Sequence, residues 1–409
     1  GVVLAFLLLA AACSSDNKDE ASSGGSSDTT EAPANAPKGE PILVSQMYPK
    51  DGPTAQPEVV AGSRAAVDAI NAAGGIKDPA GGENRPLKLV ECNAANLQNP
   101  NAPVDCAKAA VDAGVVADVG KFGGGGNDTK AFNDAGIAMI GNNPYDANDL
   151  TMDHSFPLNG GSLAALAGTG AALQEAGAKK LAMINIDVAQ SRPLPGFMKP
   201  VLEDESDLGT VVYVPTDPSA DISSFIAQVV NSNPDGVAIA DTSDATVKIV
   251  TQLRQAGYQG KIGFPSTVMT DKALKDLGSD AEGIVLAGLY DTVNDDSNAK
   301  IKQFVTEMDK YQKDASKSEF SLNSWLAVHL LADVLGDVKT IDAKSVAAAL
   351  NNRKVDLGVS MPFALGVKDT YLPLPRIFTM SAQYQSVKDG KIVSTSGDGK
   401  YVDLNTLAK

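Results

Sequence analysis

Apolar positions along this chain follow two alternating rhythms. Short, nearly continuous apolar runs at residues 41–46, 87–91, 115–119 and 137–140 read as strands. Between them, residues 58–73, 104–113 and 129–135 place apolar side chains three and four apart, the spacing of a helix with one buried face. Within 58–73, Val59, Ala66, Val67 and Ile70 share that face, and Gly74 with Gly75 stops the helix. The rhythm restarts near Asn159. It predicts helix 162–176, strand 181–186, a Pro-broken loop, a helix near 197–202 and strand 210–214. Helix 222–231, strand 236–240, helix 245–256, strand 261–264 and an apolar run at 284–288 follow. Helices 299–312, 322–335 and 342–351 come next, then extended segments 377–386 and 391–394 around a turn at Lys388, Asp389 and Gly390. Strand–helix–strand alternation predicts parallel sheets covered by helices on both faces, and here it occurs twice without a sequence repeat. The loops after the strands, at 47–53, 120–128 and 141–149, should gather at one sheet edge, where such folds bind ligands.

One of those loops stands out. Residues 120–129 read Gly-Lys-Phe-Gly-Gly-Gly-Gly-Asn-Asp-Thr, with a strand before them and a helix after. Glycines there offer bare backbone N–H groups at a helix start, suited to a carboxylate or carbonyl oxygen. A nucleotide loop is excluded. Lys121 opens the loop instead of closing it, and no Gly-x-Gly-x-x-Gly register fits. The plainer alternative is a flexible glycine turn.

The amino terminus changes the picture of where the protein works. Residues 2–12 are continuously apolar, too short to span a bilayer, and end in Ala10, Ala11, Ala12 and Cys13. That pattern is similar to a bacterial lipobox, with Cys13 as the lipid-modified first residue of the mature chain; Ala10 stands where leucine is usual. The basic stretch expected ahead of such a core is missing, as in a sequence truncated before Gly1. Residues 14–40 are rich in Ser, Gly, Asp, Pro and Ala with almost nothing to bury, and read as a disordered tether of roughly 27–30 Å. Two acyl chains on Cys13 would hold the protein at a membrane surface. In an exported protein Cys92 and Cys106 are expected to form a disulfide; metal binding is the weaker alternative, since neither has a Cys or His at ligand spacing.

Composition adds bounds. The 409 residues suffice for two or three domains, and a formal net charge of −16 leaves no basic surplus for nucleic acid. No Gly-x-Ser-x-Gly, His-Glu-x-x-His or complete calcium loop occurs, and the chain has two histidines. His329 lies in an apolar helix and reads as buried structure. Catalysis, a hydrolase in particular, is therefore the unfavoured reading, and no cofactor or metal is expected.

Several stretches together carry a family resemblance. Ile70-Asn71-Ala72-Ala73-Gly74-Gly75-Ile76, Gly114-Val115-Val116-Ala117-Asp118-Val119-Gly120, Ala135-Gly136-Ile137-Ala138-Met139-Ile140 and Lys388-Asp389-Gly390-Lys391 are similar to landmarks of type I periplasmic solute-binding proteins. The branch is the leucine/isoleucine/valine-binding family of ABC importers, and the resemblance spans about residues 41–395. It implies an α/β fold of two Rossmann-like, doubly wound lobes joined by three crossovers. Lobe one would be 41–157 plus 289–368, and lobe two 158–288 plus 369–409. It further implies a monomeric, extracytoplasmic lipoprotein that closes on a small solute and docks on a membrane permease driven by a separate ATPase. A sensory receptor of the same fold is the rival reading; a chain ending soon after its last strand favours the tethered solute-binder.

By that resemblance, Gly124 and Gly125 stand where amino-acid binders offer backbone donors and a serine hydroxyl, and the hydroxyl is missing. Asn142 and Asn143 replace an Ala-Thr pair. In lobe two, Asp241 with Thr242, and Ser266 with Thr267, follow the strands; the acid often found at the latter position is absent. Met47, Tyr48 and Phe122 are expected at the cleft, each with core packing as its alternative. Asp241 and Thr242 could instead cap the helix beginning near Ala245. The expected solute is small and polar, bearing a carboxylate or amide, branched-chain amino acid-like or related; the missing serine and acid disfavour a standard α-amino acid.

Overall fold

In a computed structural model, the described residues are 36–51, 55–94, 99–124, 126–144, 146–188, 191–367, 374–396 and 400–408. Cys13, the tether to residue 35 and Gly125 lie outside them.

The first sheet is wholly parallel. It comprises β1 (Ile42–Tyr48), β2 (Leu87–Asn93), β3 (Ala117–Val119), β4 (Ala138–Ile140) and β5 (Ser155–Phe156), in the order β2-β1-β3-β4-β5. The connections are α1 (Pro57–Ala72), α2 (Ala102–Asp112), α3 (Asn127–Asp134) and the short α4 (Ala147–Thr151). Its inner strands are buried on both faces, which is why they read as apolar runs and not as alternation.

After β5 the chain enters α5 (Gly161–Glu175), apolar and buried around nearly its whole surface. The second sheet is built from β6 (Leu181–Ile186), β7 (Leu208–Val214), β8 (Gly236–Ala240), β9 (Lys261–Pro265) and β10 (Val285–Gly288), all parallel. Between these strands run α6 (Leu194–Met198), α7 (Ser223–Asn231), α8 (Ser243–Gln255) and α9 (Asp271–Leu277). The chain then leaves for α10 (Ala299–Tyr311), α11 (Glu319–Asp337) and α12 (Ala343–Leu350), of which α10 and α11 pack on α1 and α11 and α12 also reach the first sheet. A two-stranded ladder, β11 (Lys354–Val355) with β12 (Phe363–Ala364), follows. The chain finally returns to the second sheet as β13 (Ser381–Lys388), β14 (Lys391–Ser394) and β15 (Val402–Asp403), antiparallel to their neighbours. The main order is β14-β13-β10-β9-β8-β6-β7.

The architecture is thus two lobes, one with a parallel sheet and one with a parallel sheet edged by antiparallel strands, and the chain passes between them three times. Glycine sets how closely one helix pair meets: a Cβ on Gly62 of α1 would lie 1.9 Å from the Ser321 carbonyl oxygen of α11. Several boundaries differ from the sequence reading. The strand expected at 377–386 is β13, four residues later, and the helix expected at 197–202 is α6, which gives way to a 3-10 turn at Lys199–Val201. Helices α4 and α9 and strands β5, β11, β12 and β15 are additions.

Candidate functional site

Topology fixes where to look. Strand order reverses direction around β1/β3 in the first sheet and β6/β8 in the second, and crevices beyond the carboxyl ends of such strands hold ligands. The loops at those ends include 120–126 and 141–146 in the first lobe, and 241–242 and 266–268 in the second.

The glycine loop is organised from within. Lys121 is 1% exposed, so its ammonium must be neutralised inside the lobe. Its Nζ lies 3.0 Å from Asp128 Oδ2 and 2.9 Å from Asp149 Oδ1, and donates to Thr129 Oγ1 at 2.9 Å. Thr129 Oγ1 donates in turn to Asp149 Oδ1 at 2.6 Å. Burial works against the lysine's charge, but the two carboxylates outweigh it and hold its pKa above the ordinary lysine value. At Gly124, whose φ is +125°, a Cβ would lie 2.5 Å from Asp128 Oδ2. The anion packed against this glycine is therefore the chain's own. The inward-turned Lys121 thus holds Asp128 under the loop, on the side where a Gly124 side chain would lie.

Two residues expected at the cleft are committed to packing. Met47 is wholly buried among Phe132, Met139 and Cys106. Tyr48 is 2% exposed, and its hydroxyl donates to Glu91 Oε2 at 3.2 Å, beside the Arg64–Glu91 ion pair. Phe122 is half-buried and meets Phe320 edge-to-face at 4.7 Å. Asn142 turns inward, donating from Nδ2 to Ser155 Oγ at 2.9 Å, while the half-buried Asn143 is held by its backbone N–H on the Lys121 carbonyl.

Across in the second lobe, Asp241 follows β8. Its Oδ1 accepts from the Thr242 N–H at 2.7 Å, and its buried Oδ2 has no hydrogen-bond partner among the described residues. Burial pushes this carboxyl up to about 6, against the pull of the Thr242 hydrogen bond. The helix-cap alternative does not describe it: α8 begins at Ser243, and Thr242 is an N-cap without a side-chain cap bond.

Sequence reasoning missed the acid that meets Ser266. Ser266 Oγ donates to Glu319 Oε2 at 2.6 Å, and Glu319 Oε1 accepts from the backbone N–H groups of Leu289 and Tyr290 at 2.5 and 3.0 Å. One turn further along α11, Asn323 Nδ2 donates to the Gly141 carbonyl at 2.7 Å. Its Oδ1 accepts from the Tyr290 hydroxyl at 2.6 Å and from Asn159 Nδ2 at 3.2 Å. The available signal was a pair of polar residues four apart at the start of a largely apolar helix. Ser266 and Thr267 line a cavity of about 410 Å³ together with Asp271, Thr292, Lys313 and Glu319. A larger hollow of about 570 Å³, beside Lys179, Asp235 and Tyr258, sits at the opposite edge of the second sheet, where the strands begin.

Cys92 and Cys106 are joined in a disulfide that ties the end of β2 to α2. Among the described residues no cluster of three metal-ligating side chains occurs, and no helix is long and apolar enough to cross a membrane.

Comparisons agree with this layout. A solved protein from Rhodopirellula baltica, described as a possible leucine/isoleucine/valine-binding protein, superposes with a TM-score of 0.72 at 17% identity, covering 90% of this chain and 98% of its own. A solute-binding protein of an ABC transporter from R. palustris, solved with benzoate, gives 0.70 at 19% identity over 87% and 95%. The substrate-binding protein of a branched-chain amino acid transporter from Streptococcus pneumoniae, solved with isoleucine, gives 0.70 at 16% over 86% and 99%. At such identities the likeness speaks for the fold. No curated protein matches in sequence. The profile of the family described as periplasmic binding protein matches residues 41–370. These are solute-binding proteins rather than enzymes, and this chain belongs to that family.

Proposed function

We propose that this protein is the extracytoplasmic solute-binding lipoprotein of an ABC importer, capturing a small solute between its lobes by hinge closure. The lobes would be 41–157 plus 289–368 and 158–288 plus 369–409, with the passages between them as hinges. A lipid on Cys13 would anchor the monomer beside its permease. The observation that carries the reading is the Ser266–Glu319 hydrogen bond, which brings a loop after a strand of the second sheet against a helix packed on the first.

The solute is small and carries a carboxylate or amide. Isoleucine and benzoate, present in two structures of the same fold, share a carboxylate beside an apolar body. Phe122 and Phe320 would meet such a body, with Gly124, Gly125, Asn142 and Asn143 near the head group. Asp241, Thr242, Ser266 and Thr267 would face it from the second lobe, and the open acceptor of Asp241 suits a donor such as an amide N–H.

The test is mass spectrometry of the small molecules released when freshly purified protein is unfolded, followed by thermal shift with the released compound, isoleucine and benzoate. A retained solute that raises the melting temperature supports the reading. An empty extract with no shift at millimolar concentration contradicts it. Replacing Cys13 with Ser should move the protein from the membrane fraction to the soluble one; unchanged fractionation would remove the lipid anchor.

A further inference from the structure

Glu319 has more contacts than the start of a helix requires. It is the first residue of α11, a helix packed on α1, yet its carboxylate is divided between two other parts of the chain. Oε2 takes the hydroxyl of Ser266, beyond the end of β9 in the second sheet. Oε1 takes the N–H groups of Leu289 and Tyr290, on the passage leaving the second sheet. Asn323, one turn on, adds the Gly141 carbonyl from the first lobe's loop and Asn159 from another passage. One turn of helix therefore touches a strand-end loop from each lobe and two of the three passages. A second contact runs parallel to it, from Ser316 Oγ to Asp271 Oδ2 at 3.3 Å.

We propose that Glu319 and Ser266 form a clasp between the lobes, and that bringing the lobes together takes up a proton on Glu319. This rests on the reading of a cleft between the lobes. When the acid is ionised, the serine hydroxyl donates to it. When it is protonated, its own O–H donates to Ser266 Oγ, so the bond survives with the roles reversed and the serine hydroxyl proton turns to the adjoining cavity that Ser266 lines. Parting the lobes removes Ser266 and lets water reach Oε2. With the clasp made, burial pushes the carboxyl up to about 7, outweighing the hydrogen bonds from Ser266, Tyr290 and Leu289 that favour the charged form. Hydration on opening would return it toward its ordinary value of 4.5. An acid whose pKa is higher with the lobes together holds more proton in that state. The closed form is therefore favoured as pH falls through about 7 and disfavoured as pH rises through it.

Nearby charges leave this acid to titrate on its own terms. Asp271 of α9, with Lys313 and Lys317 of the loop before α11, line the adjoining cavity. Lys317 is paired with Asp309, and Asp271 accepts from Ser316. Tyr290, whose phenol Glu319 raises further after burial, stays protonated. On α1 the ionisable residues are Glu58, Arg64 and Asp68, and Arg64 is turned to Glu91. The partners that hold the Glu319 carboxylate are neutral: one hydroxyl and two backbone N–H groups.

Small-angle X-ray scattering of solute-free protein tests this, with the radius of gyration followed between about pH 5.5 and about pH 8.5. The wild-type protein should expand as pH rises, with a midpoint near 7. Glu319→Gln keeps the side chain's shape but cannot titrate, so the pH-dependent shift should be lost. Ser266→Ala should expand the protein at low pH, and the double variant should expand it no further than one change alone. A wild-type radius that does not move with pH overturns the proposal, as does a Glu319→Gln protein that keeps the shift. Far-UV circular dichroism establishes that each variant folds; if Glu319→Gln does not, Ser266→Ala carries the test, and an unchanged low-pH radius in that variant overturns the clasp. Because no solute is present, failure here is separable from failure to find a bound solute.

Discussion

Replacing Lys121 with Met would strip Asp128 and Asp149 of the cation they share inside the first lobe. Breaking a buried pair by removing one partner costs about 3–5 kcal/mol, so urea denaturation of Lys121→Met should show a loss of that size. A loss under about 1 kcal/mol would mean that the carboxylates are hydrated in the folded protein. Asp118, two residues before the loop's first glycine, makes a different prediction. It is wholly buried, accepts from Ser45 Oγ at 2.7 Å, and is pushed by burial up to about 8 against the pull of Ser45 and Lys121. The folded protein thus holds a proton that the unfolded chain releases near 3.8. The stability from this group is full below that value and is lost as pH rises through about 8. Asp118→Asn should flatten the decline in denaturation midpoint across that range; an unchanged slope would contradict it. Neither role was visible in the sequence. Lys121 reads there as the mouth of a glycine loop, and its partner Asp149 lies 28 positions away. Which way a lysine turns is decided by packing that periodicity does not encode.

Elements were far more legible than residues. Apolar runs and helical spacing fall within a few residues of β1 to β4, α1 to α3, and most of β6 to β10, because strands buried on both faces leave continuous apolar stretches. Strand β5, two residues long, and helix α4, five residues long, are too short to show a period. Helix α9 had a readable start in Thr270, whose side chain accepts from the Ala273 N–H, but its seven residues carry few apolar positions. The Cys92–Cys106 disulfide belongs to this scale as well, since it joins a strand to the next helix across a separation of 14 residues. Its reduction should lower the unfolding free energy by about 3 kcal/mol. The check is denaturation with and without reductant, alongside thiol titration; two reactive thiols in the untreated folded protein would contradict the bond.

At the scale of the molecule, alternation supplied the α/β architecture occurring twice, and the family resemblance implied the three passages between the halves. Neither could supply the contact that joins the halves. Ser266 and Glu319 are 53 positions apart, and the acid looked for beside Ser266 arrives from another helix. The candidate site was correspondingly less legible: the strand-end loops could be named, but Met47 and Tyr48 are withdrawn into packing, and Glu319, Phe320 and Asn323, which meet those loops, were not foreseen. Amide hydrogen exchange, read by mass spectrometry with and without the solute released from the native protein, tests capture between the lobes most directly. Slowed exchange should occur together at 120–128 and 141–146 in the first lobe and at 241–246 and 266–270 in the second. Protection confined to one lobe, or located at the hollow beside Lys179 and Tyr258, would contradict it.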